Sequence, residues 1–224
     1  MKKIMILGLC IALSLVAAIS AMADTVTLGG SSGVPQYAGV YVGPLGATLD
    51  DTTAIGGGIA CLSVGNTSYF GSTFGVNINT LQPLNMTTAR YGSDAAAIFK
   101  YEEAAWLLGQ IPTHSTQVGE IQFAMWRIFD QAYVTAHFTS ADRNIAVEDS
   151  WLAQAAAINP INYDFSSVRI YTPTSAYALN QEFMSGGATP APVSAVPVTP
   201  TILLVGSGLV GLVGLGWRRK GRAG

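Results

Sequence analysis

The sequence has few of the residues from which most active sites are built. Its 224 residues include two histidines, two cysteines and only 11% charged side chains. It contains no Gly-x-Ser-x-Gly elbow, no His-Glu-x-x-His zinc motif and no His/Cys cluster at metal-ligand spacing. The patterns that mark most secreted hydrolases and metalloenzymes are therefore missing, and we predict no cofactor and no bound metal.

Residues 1–23 are predicted to be a cleaved signal peptide. Lys2 and Lys3 precede an almost wholly apolar run, and Ala21 to Ala23 supply the small residues that signal peptidase requires. The segment includes Cys10. Export by the general secretory route, with removal of this segment, would therefore leave Cys61 as the one remaining cysteine of the chain.

A single cysteine excludes an intramolecular disulfide, although the compartment outside the cytoplasm is oxidising. Four interpretations of Cys61 stay open. It is a buried inert thiol, which is a common state of a free cysteine, or a thiol paired between chains. Otherwise it is a catalytic nucleophile, or a side chain bonded to something other than sulfur.

Basic residues are also scarce in the exported part. Two of the 11 Lys and Arg residues lie in the signal peptide and four lie at the C-terminus, whereas all 13 acidic residues lie between them. Five basic against 13 acidic residues give a formal charge of −8. This balance argues against nucleic acid and anionic membrane surfaces as partners.

The C-terminal region is predicted to anchor the chain. Residues 186–200 form a linker rich in Pro, Ala and Ser, which disfavour a packed element. Residues 201–217 are a predicted transmembrane helix near the lower limit of about 17–25 residues that a bilayer requires. Residues 218–224 form a basic tail that is predicted to stay cytoplasmic because of Arg218, Arg219, Lys220 and Arg222.

The proline motif, the glycine-rich apolar span and the terminal arginines together resemble the PEP-CTERM sorting signal. Exosortase-type transpeptidases recognise this signal in Gram-negative bacteria that make exopolysaccharide. Pro197 and Pro200 enclose Val-Thr, where the family usually has Pro-Glu-Pro. The resemblance implies an exosortase-like partner, an inner-membrane anchor before processing, and a final location at the cell surface or in the extracellular matrix.

Three predicted helices interrupt a region of predicted strands. Short alternating runs indicate strands within residues 25–83, 166–174 and 180–184. Capping residues and stop signals indicate helices within residues 93–112, 119–131 and 140–160. Residues 24–185 are therefore predicted to form one extracytoplasmic α+β domain, a β-sandwich or barrel with an inserted three-helix unit. The glycine run before Cys61 predicts a close backbone approach or a bulge.

Gln122 is predicted to lie on the buried face of the second helix. At about 100° per residue, Gln122 falls opposite the polar face formed by Glu120, Arg127 and Gln131. A buried amide without partners destabilises a fold by roughly 1–3 kcal/mol. Gln122 is thus either a core glutamine bonded to nearby backbone or an acyl group bonded to Cys61. The second alternative requires an apolar pocket and a rigid frame, because a thiol displaces ammonia from an amide only when both are held together.

Two short segments resemble the thioester domains of bacterial surface adhesins. Gln122, Ala124 and Trp126 match their Gln-x-Ala-x-Trp motif, and Ala105 to Leu108 resembles the helix before it. In those domains a cysteine early in the domain is bonded to the motif glutamine. The resemblance implies a thioester between Cys61 and Gln122 in a pocket with Ala124, Trp126 and Trp106.

The resemblance also implies a function, namely a stored electrophile that reacts once with an amine of a target surface. The chain would then be a covalent adhesin or matrix protein and no enzyme. His114 and His137 are suited to proton transfer near neutral pH, but neither belongs to a recognisable catalytic pattern. The alternative is a non-covalent structural or carbohydrate-binding surface module in which Cys61 is a buried free thiol.

Overall fold

An antiparallel β-sheet forms the framework of the molecule, for which the computed structural model describes residues 23–192. In chain order, the strands are β1 (Asp24–Leu28), β2 (Gln36–Tyr37), β3 (Val40–Tyr41), β4 (Ala47–Leu49), β5 (Thr53–Ala54), β6 (Ala60–Cys61), β7 (Thr73–Thr80), β8 (Tyr163–Asp164), β9 (Arg169–Pro173), β10 (Phe183–Ser185) and β11 (Thr189–Pro190). Seven of them form one sheet in the order β5-β4-β1-β7-β9-β10-β6, and every neighbouring pair is antiparallel. The remaining strands form two small pairs, β2–β3 and β8–β11.

The seven-stranded sheet curls into a half-barrel. Leu45 precedes β4 and Ile59 precedes β6, near opposite ends of the sheet, yet their backbones exchange two hydrogen bonds of 2.8 and 2.9 Å. The α+β class predicted from the sequence is confirmed. The sheet of this domain is a half-barrel, and the three predicted helices are present between its strands.

Three α-helices lie between β7 and β8, namely α1 (Ala95–Gln110), α2 (Val118–His137) and α3 (Ile145–Ala156). Asp94 caps α1 by accepting a hydrogen bond from the Ala97 amide at 2.9 Å. Within α2, Asp130 leaves the helical conformation, and its carboxylate accepts from the Tyr133 amide. Asp130 therefore acts as an internal cap that restarts the helix after a kink. Short 3₁₀ turns occupy Ile111–Thr113, Ser115–Gln117, Ser140–Asp142, Pro160–Asn162 and Ser175–Tyr177.

Helix α2 contributes to both hydrophobic clusters of the core. Ile121 and Met125 pack with α1, α3 and one face of the sheet. Phe123 and Trp126 pack with the other sheet face, which carries Val26, Phe74 and Phe183. All six residues from 121 to 126 are buried, so this part of α2 has no solvent face. Arg127, on the predicted polar face, forms ion pairs with Glu148 and Asp149 of α3.

The folded unit continues to Pro190, five residues beyond the predicted domain end at 185. Strand β11 pairs with β8, and the buried Ala188 donates its amide to the Ala105 carbonyl of α1 at 2.9 Å. The part of the chain from 23 to 192 contains no helix with the length and apolar character to cross a bilayer. Several predicted features lie outside the described residues. They are the signal peptide up to residue 22, Pro197 and Pro200 of the sorting motif, the transmembrane helix at 201–217, and the tail at 218–224 with its four basic residues.

Candidate functional site at Cys61 and Gln122

Cys61 lies on the short end strand of the curled sheet. Among the described strands, β6 pairs with β10 alone, and Cys61 is opposite Phe183 in that register. Gly58 enters the strand with φ of 76°, and a Cβ atom there would lie 2.6 Å from the Leu45 carbonyl oxygen. The glycine run thus makes the close backbone approach that its sequence predicts. This contact fixes the backbone just before Cys61, whose residue surface is 6% exposed.

The carboxamide of Gln122 lies against the backbone of Cys61. Gln122 is 1% exposed, and its Nε2 donates to the Cys61 carbonyl oxygen at 2.7 Å. One helical turn later, Trp126 Nε1 donates to the same oxygen at 3.0 Å. Two residues of α2 at i and i+4 therefore fix one carbonyl of β6, because such residues share a helix face.

The other end of the same amide has no partner. Gln122 Oε1 is buried and accepts no hydrogen bond from any residue that the structure describes. A buried carbonyl oxygen without a donor is unfavourable by about 1–3 kcal/mol, and native structures contain few such atoms. Only one end of the Gln122 amide is therefore hydrogen-bonded, and that end lies against the backbone of Cys61.

The thiol of Cys61 is held in its neutral form. Burial raises the pKa of Cys61 to about 12, although hydrogen bonds from Trp126 and the Ser63 backbone act in the opposite direction. The buried Glu182 carboxylate raises this pKa further and Arg90 lowers it. A thiol with this pKa is almost wholly protonated near pH 7 and is a poor nucleophile towards external reagents.

Cys61, Gln122 and Trp126 line the same cavity, which has a volume of about 320 Å³. Its walls combine apolar residues from the sheet and loops with neutral polar residues. The apolar members include Leu28, Leu45, Val64, Phe70 and Phe138, and the polar members are Tyr41, Asn66, Thr67, Ser68, Tyr133 and Gln181. No charged side chain of the described residues lines it. Both predicted partners thus share one neutral cavity.

The other predicted pocket residues lie elsewhere. Ala124 is fully buried in the cluster formed with α1 and α3, two positions from Gln122 and so on another side of α2. Trp106 packs against Trp151 with ring centroids 6.1 Å apart in that same cluster. Of the three predicted pocket residues, the structure brings only Trp126 to Cys61.

The two histidines have local partners. His114 Nδ1 lies 3.0 Å from the Gln110 carbonyl oxygen, and its ring packs edge-on against Trp151 at 4.9 Å. His137 is exposed, and its ring stacks on Tyr133 with centroids 3.8 Å apart. Neither histidine lines the cavity, although His137 contacts a residue that does.

Several cavity residues were missed in the sequence. Tyr133 follows Trp126 by seven residues, so helical periodicity alone could have placed it on the same face. Asn66, Thr67, Ser68 and Gln181 come from loops, where no periodic pattern exists to reveal which residues meet.

Comparison with protein-family models, with curated proteins and with solved structures gives no match. Within residues 23–192, no group of three or more His, Cys, Asp or Glu side chains could hold a metal ion.

Proposed function

We propose that this chain is an exported, surface-sorted covalent adhesin or matrix protein that stores an internal thioester. In the formation step, Cys61 Sγ bonds to Gln122 Cδ and the Cδ–Nε2 bond breaks. The amide nitrogen leaves as ammonia with the thiol proton. The step needs no oxidant and no cofactor.

The observation that carries this proposal is the pairing of Cys61 with a half-satisfied Gln122. The 2.7 Å hydrogen bond from Gln122 Nε2 to the Cys61 carbonyl holds the amide against the cysteine, while Oε1 has no donor among the described residues. The packing holds two residues that are 61 positions apart in the chain at one site. Pre-organisation of this kind favours reaction between two groups. The burial of Cys61 and Gln122, which are 6% and 1% exposed, limits the access of water to the bond and so favours the thioester.

The stored bond would react once with an amine. The amine nitrogen attacks Gln122 Cδ, the Cδ–Sγ bond breaks, and the amine proton passes to sulfur. The products are an amide cross-link at Gln122 and a free Cys61 thiol. Because the site is not regenerated, the protein acts as a cross-linker and is not an enzyme.

Sorting would bring this electrophile to its target. The predicted signal peptide, the motif at Pro197 and Pro200, and the arginines after residue 217 imply export, an inner-membrane anchor and processing by an exosortase-like partner. A location at the cell surface or in the extracellular matrix places the thioester beside foreign or neighbouring amines.

The proposal is tested by treating the purified protein with methylamine and mapping the product. We expect one methylamide at Gln122 and one newly alkylatable thiol at Cys61. Both should be lost in Gln122→Glu and in Cys61→Ala. The matched control is Gln131→Glu, which makes the same change on an exposed position of α2 and should react like the wild type. An unmodified Gln122, with Cys61 alkylated after unfolding without any amine, would contradict the proposal.

A second candidate is a non-covalent structural or carbohydrate-binding surface module. It is favoured by the pKa of about 12 for Cys61, which suits an inert buried thiol, and by the hydrogen bond that Gln122 already makes. In that case the cavity binds its ligand reversibly, and the mapping experiment finds no methylamide.

A further inference from the structure

An open groove adjoins the cavity of Cys61 and Gln122. It has a volume of about 470 Å³ and is lined by Gly65, Asn66, Thr67, Tyr69, Ser72, Leu179 and Asn180. Asn66 and Thr67 line both the groove and the cavity. A ligand bound in the groove therefore lies next to the space that leads to Gln122.

The groove presents an aromatic ring to solvent. Tyr69 is 73% exposed. Its backbone carbonyl accepts hydrogen bonds from both the amide and the hydroxyl of Ser72. This turn fixes the backbone while leaving the ring uncovered. A tyrosine ring combines an apolar face with a polar edge, and that combination suits the apolar face and the hydroxyl rim of a sugar ring.

The floor of the groove is held in place before any ligand binds. The Arg90 guanidinium donates to Asn66 Oδ1 and to the carbonyls of Ala178 and Asn180, the latter two at 3.0 and 2.8 Å. The Thr67 amide donates to the Leu179 carbonyl at 3.2 Å. Pre-organisation of this kind lowers the entropy lost on binding.

The charge of the lining restricts which amine reacts. Among residues 23–192, no Asp or Glu lines the groove or the cavity, so an ammonium ion would lose hydration there without gaining a carboxylate. A lysine amine, with a pKa of about 10.4, is almost wholly an ammonium at pH 7. The amine of a hexosamine has a lower pKa, because the ring oxygens withdraw electrons from it, and a larger fraction is therefore neutral.

We propose that the groove binds a polysaccharide that contains deacetylated hexosamine and delivers the free sugar amine to the acyl carbon of Gln122. This inference rests on the proposed function, since it names the acceptor for the same thioester. The sugar nitrogen bonds to Gln122 Cδ, the Cδ–Sγ bond breaks, and the nitrogen proton moves to Cys61 Sγ. Neighbouring sugars occupy the groove and stack on Tyr69.

The test compares three amines at equal concentration and pH 7 by the rate of mass gain. The probes are a β-1,4-linked glucosamine tetramer, a lysine derivative with its α-amine acetylated, and methylamine. We expect the tetramer to react about tenfold or more faster than the lysine derivative. The fully N-acetylated tetramer has no free amine, so it should form no adduct but should slow the reaction of the glucosamine tetramer.

The Tyr69→Ala variant tests whether the aromatic ring binds the sugar. It should slow the tetramer by about three- to tenfold, the range expected for one lost aromatic contact, and leave the methylamine rate unchanged. Tyr177→Ala, at an exposed tyrosine outside the groove, is the control and should affect neither rate.

The outcomes separate the two proposals. A normal methylamine reaction without any preference for the tetramer, and without an effect of Tyr69→Ala, overturns the hexosamine inference and leaves the thioester in place. Absence of any methylamine reaction overturns both.

Discussion

At the scale of single residues, the site depends on one backbone carbonyl. The Cys61 oxygen accepts from both Gln122 Nε2 and Trp126 Nε1. Formation of the thioester would remove the first donor as ammonia. Trp126 would then be the remaining side-chain donor to a buried oxygen, so its N–H stabilises the thioester form more than the amide form.

Replacement of Trp126 by phenylalanine tests this role. Trp126→Phe keeps an aromatic ring in the cavity wall but removes the N–H group, which leaves the buried Cys61 carbonyl unpaired in the thioester form. We expect a loss of about 1–3 kcal/mol in the free energy of unfolding. The same change in the Cys61→Ala background, where Gln122 keeps its nitrogen, should have a smaller effect. Equal losses in both backgrounds by chemical denaturation would contradict the assignment.

Glu182 is a buried carboxylate, and its hydrogen bonds within residues 23–192 all come from neutral groups. It accepts from the Arg90 amide at 2.9 Å, from the Tyr101 hydroxyl at 2.8 Å and from the Thr172 hydroxyl. Burial raises the pKa of Glu182 above its ordinary value of 4.5, although these hydrogen bonds act in the opposite direction. The folded protein thus binds this proton more tightly than the unfolded chain does.

A pH dependence of stability follows from this shift. The contribution of Glu182 is fully present below pH 4.5 and is lost as the pH rises through the raised pKa of the folded state. We therefore expect the unfolding free energy of the wild type to fall relative to that of Glu182→Gln as the pH increases from about 4 to 8. Denaturant unfolding of both proteins across this range checks the sign. Parallel curves would contradict it.

Helical periodicity predicts that Gln122 is buried, but it does not predict its partner. A period of about 3.6 residues assigns a side chain to a face of its own helix. The Cys61 carbonyl reaches that face only through the pairing of β6 with β10, and the register of these strands depends on residues more than 100 positions apart. The same limitation of helical periodicity applies to Trp106. Its helix was predicted, but its packing against Trp151 was not.

At the scale of elements, α1 ends against the segment before β11 with almost no space between the backbones. A Cβ atom on Gly109 would lie 2.6 Å from the Ala188 carbonyl oxygen. The same segment is fixed by the hydrogen bond from the Ala188 amide to the Ala105 carbonyl. The backbone cannot withdraw from a new methyl group without weakening this bond.

Gly109→Ala is therefore expected to destabilise the protein, although alanine favours a helix more than glycine does. We expect a loss of about 1–3 kcal/mol from overpacking. The control is Gly30→Ala, because no atom of the described part of the chain lies within 4 Å of a Cβ built at Gly30. Both variants are compared by chemical denaturation, and an unchanged or increased stability of Gly109→Ala would contradict the close packing.

The elements themselves were more predictable than their arrangement. Capping residues and apolar spacing predicted three helices between two groups of strands, as observed. The strand pattern predicted a sandwich or a barrel without deciding between them, because the curl of the sheet depends on the Leu45–Ile59 bridge between segments near opposite ends of the sheet. The break at Asp130 was not predicted either. Asp130 caps the second part of α2, but its sequence position has no feature that distinguishes it from the interior of a helix.

At the scale of the whole molecule, the proposed thioester ties an end strand to the central helix. Strand β6 has two residues and one neighbour, while α2 packs in both core clusters. A covalent bond between residues 61 positions apart restricts the unfolded chain as any cross-link does. For a loop of this length the chain-entropy model gives about 4 kcal/mol.

Opening of the thioester should therefore lower the stability of the fold. We expect methylamine treatment to reduce the unfolding free energy of the wild type by up to about 4 kcal/mol. The Gln122→Glu variant, which has no thioester to open, should be unaffected by the same treatment. Thermal and denaturant unfolding before and after treatment provide the comparison, and an equal response of both proteins would argue against a cross-link.

The most direct test of the account is the intact mass of the purified protein before any reagent is added. If the thioester forms, the wild type has a mass lower than that of the plain sequence by one ammonia, and neither Cys61→Ala nor Gln122→Glu shows this deficit. A wild-type mass equal to that of the plain sequence, with Cys61 freely alkylated after unfolding, would contradict the thioester and leave a surface module with a buried thiol.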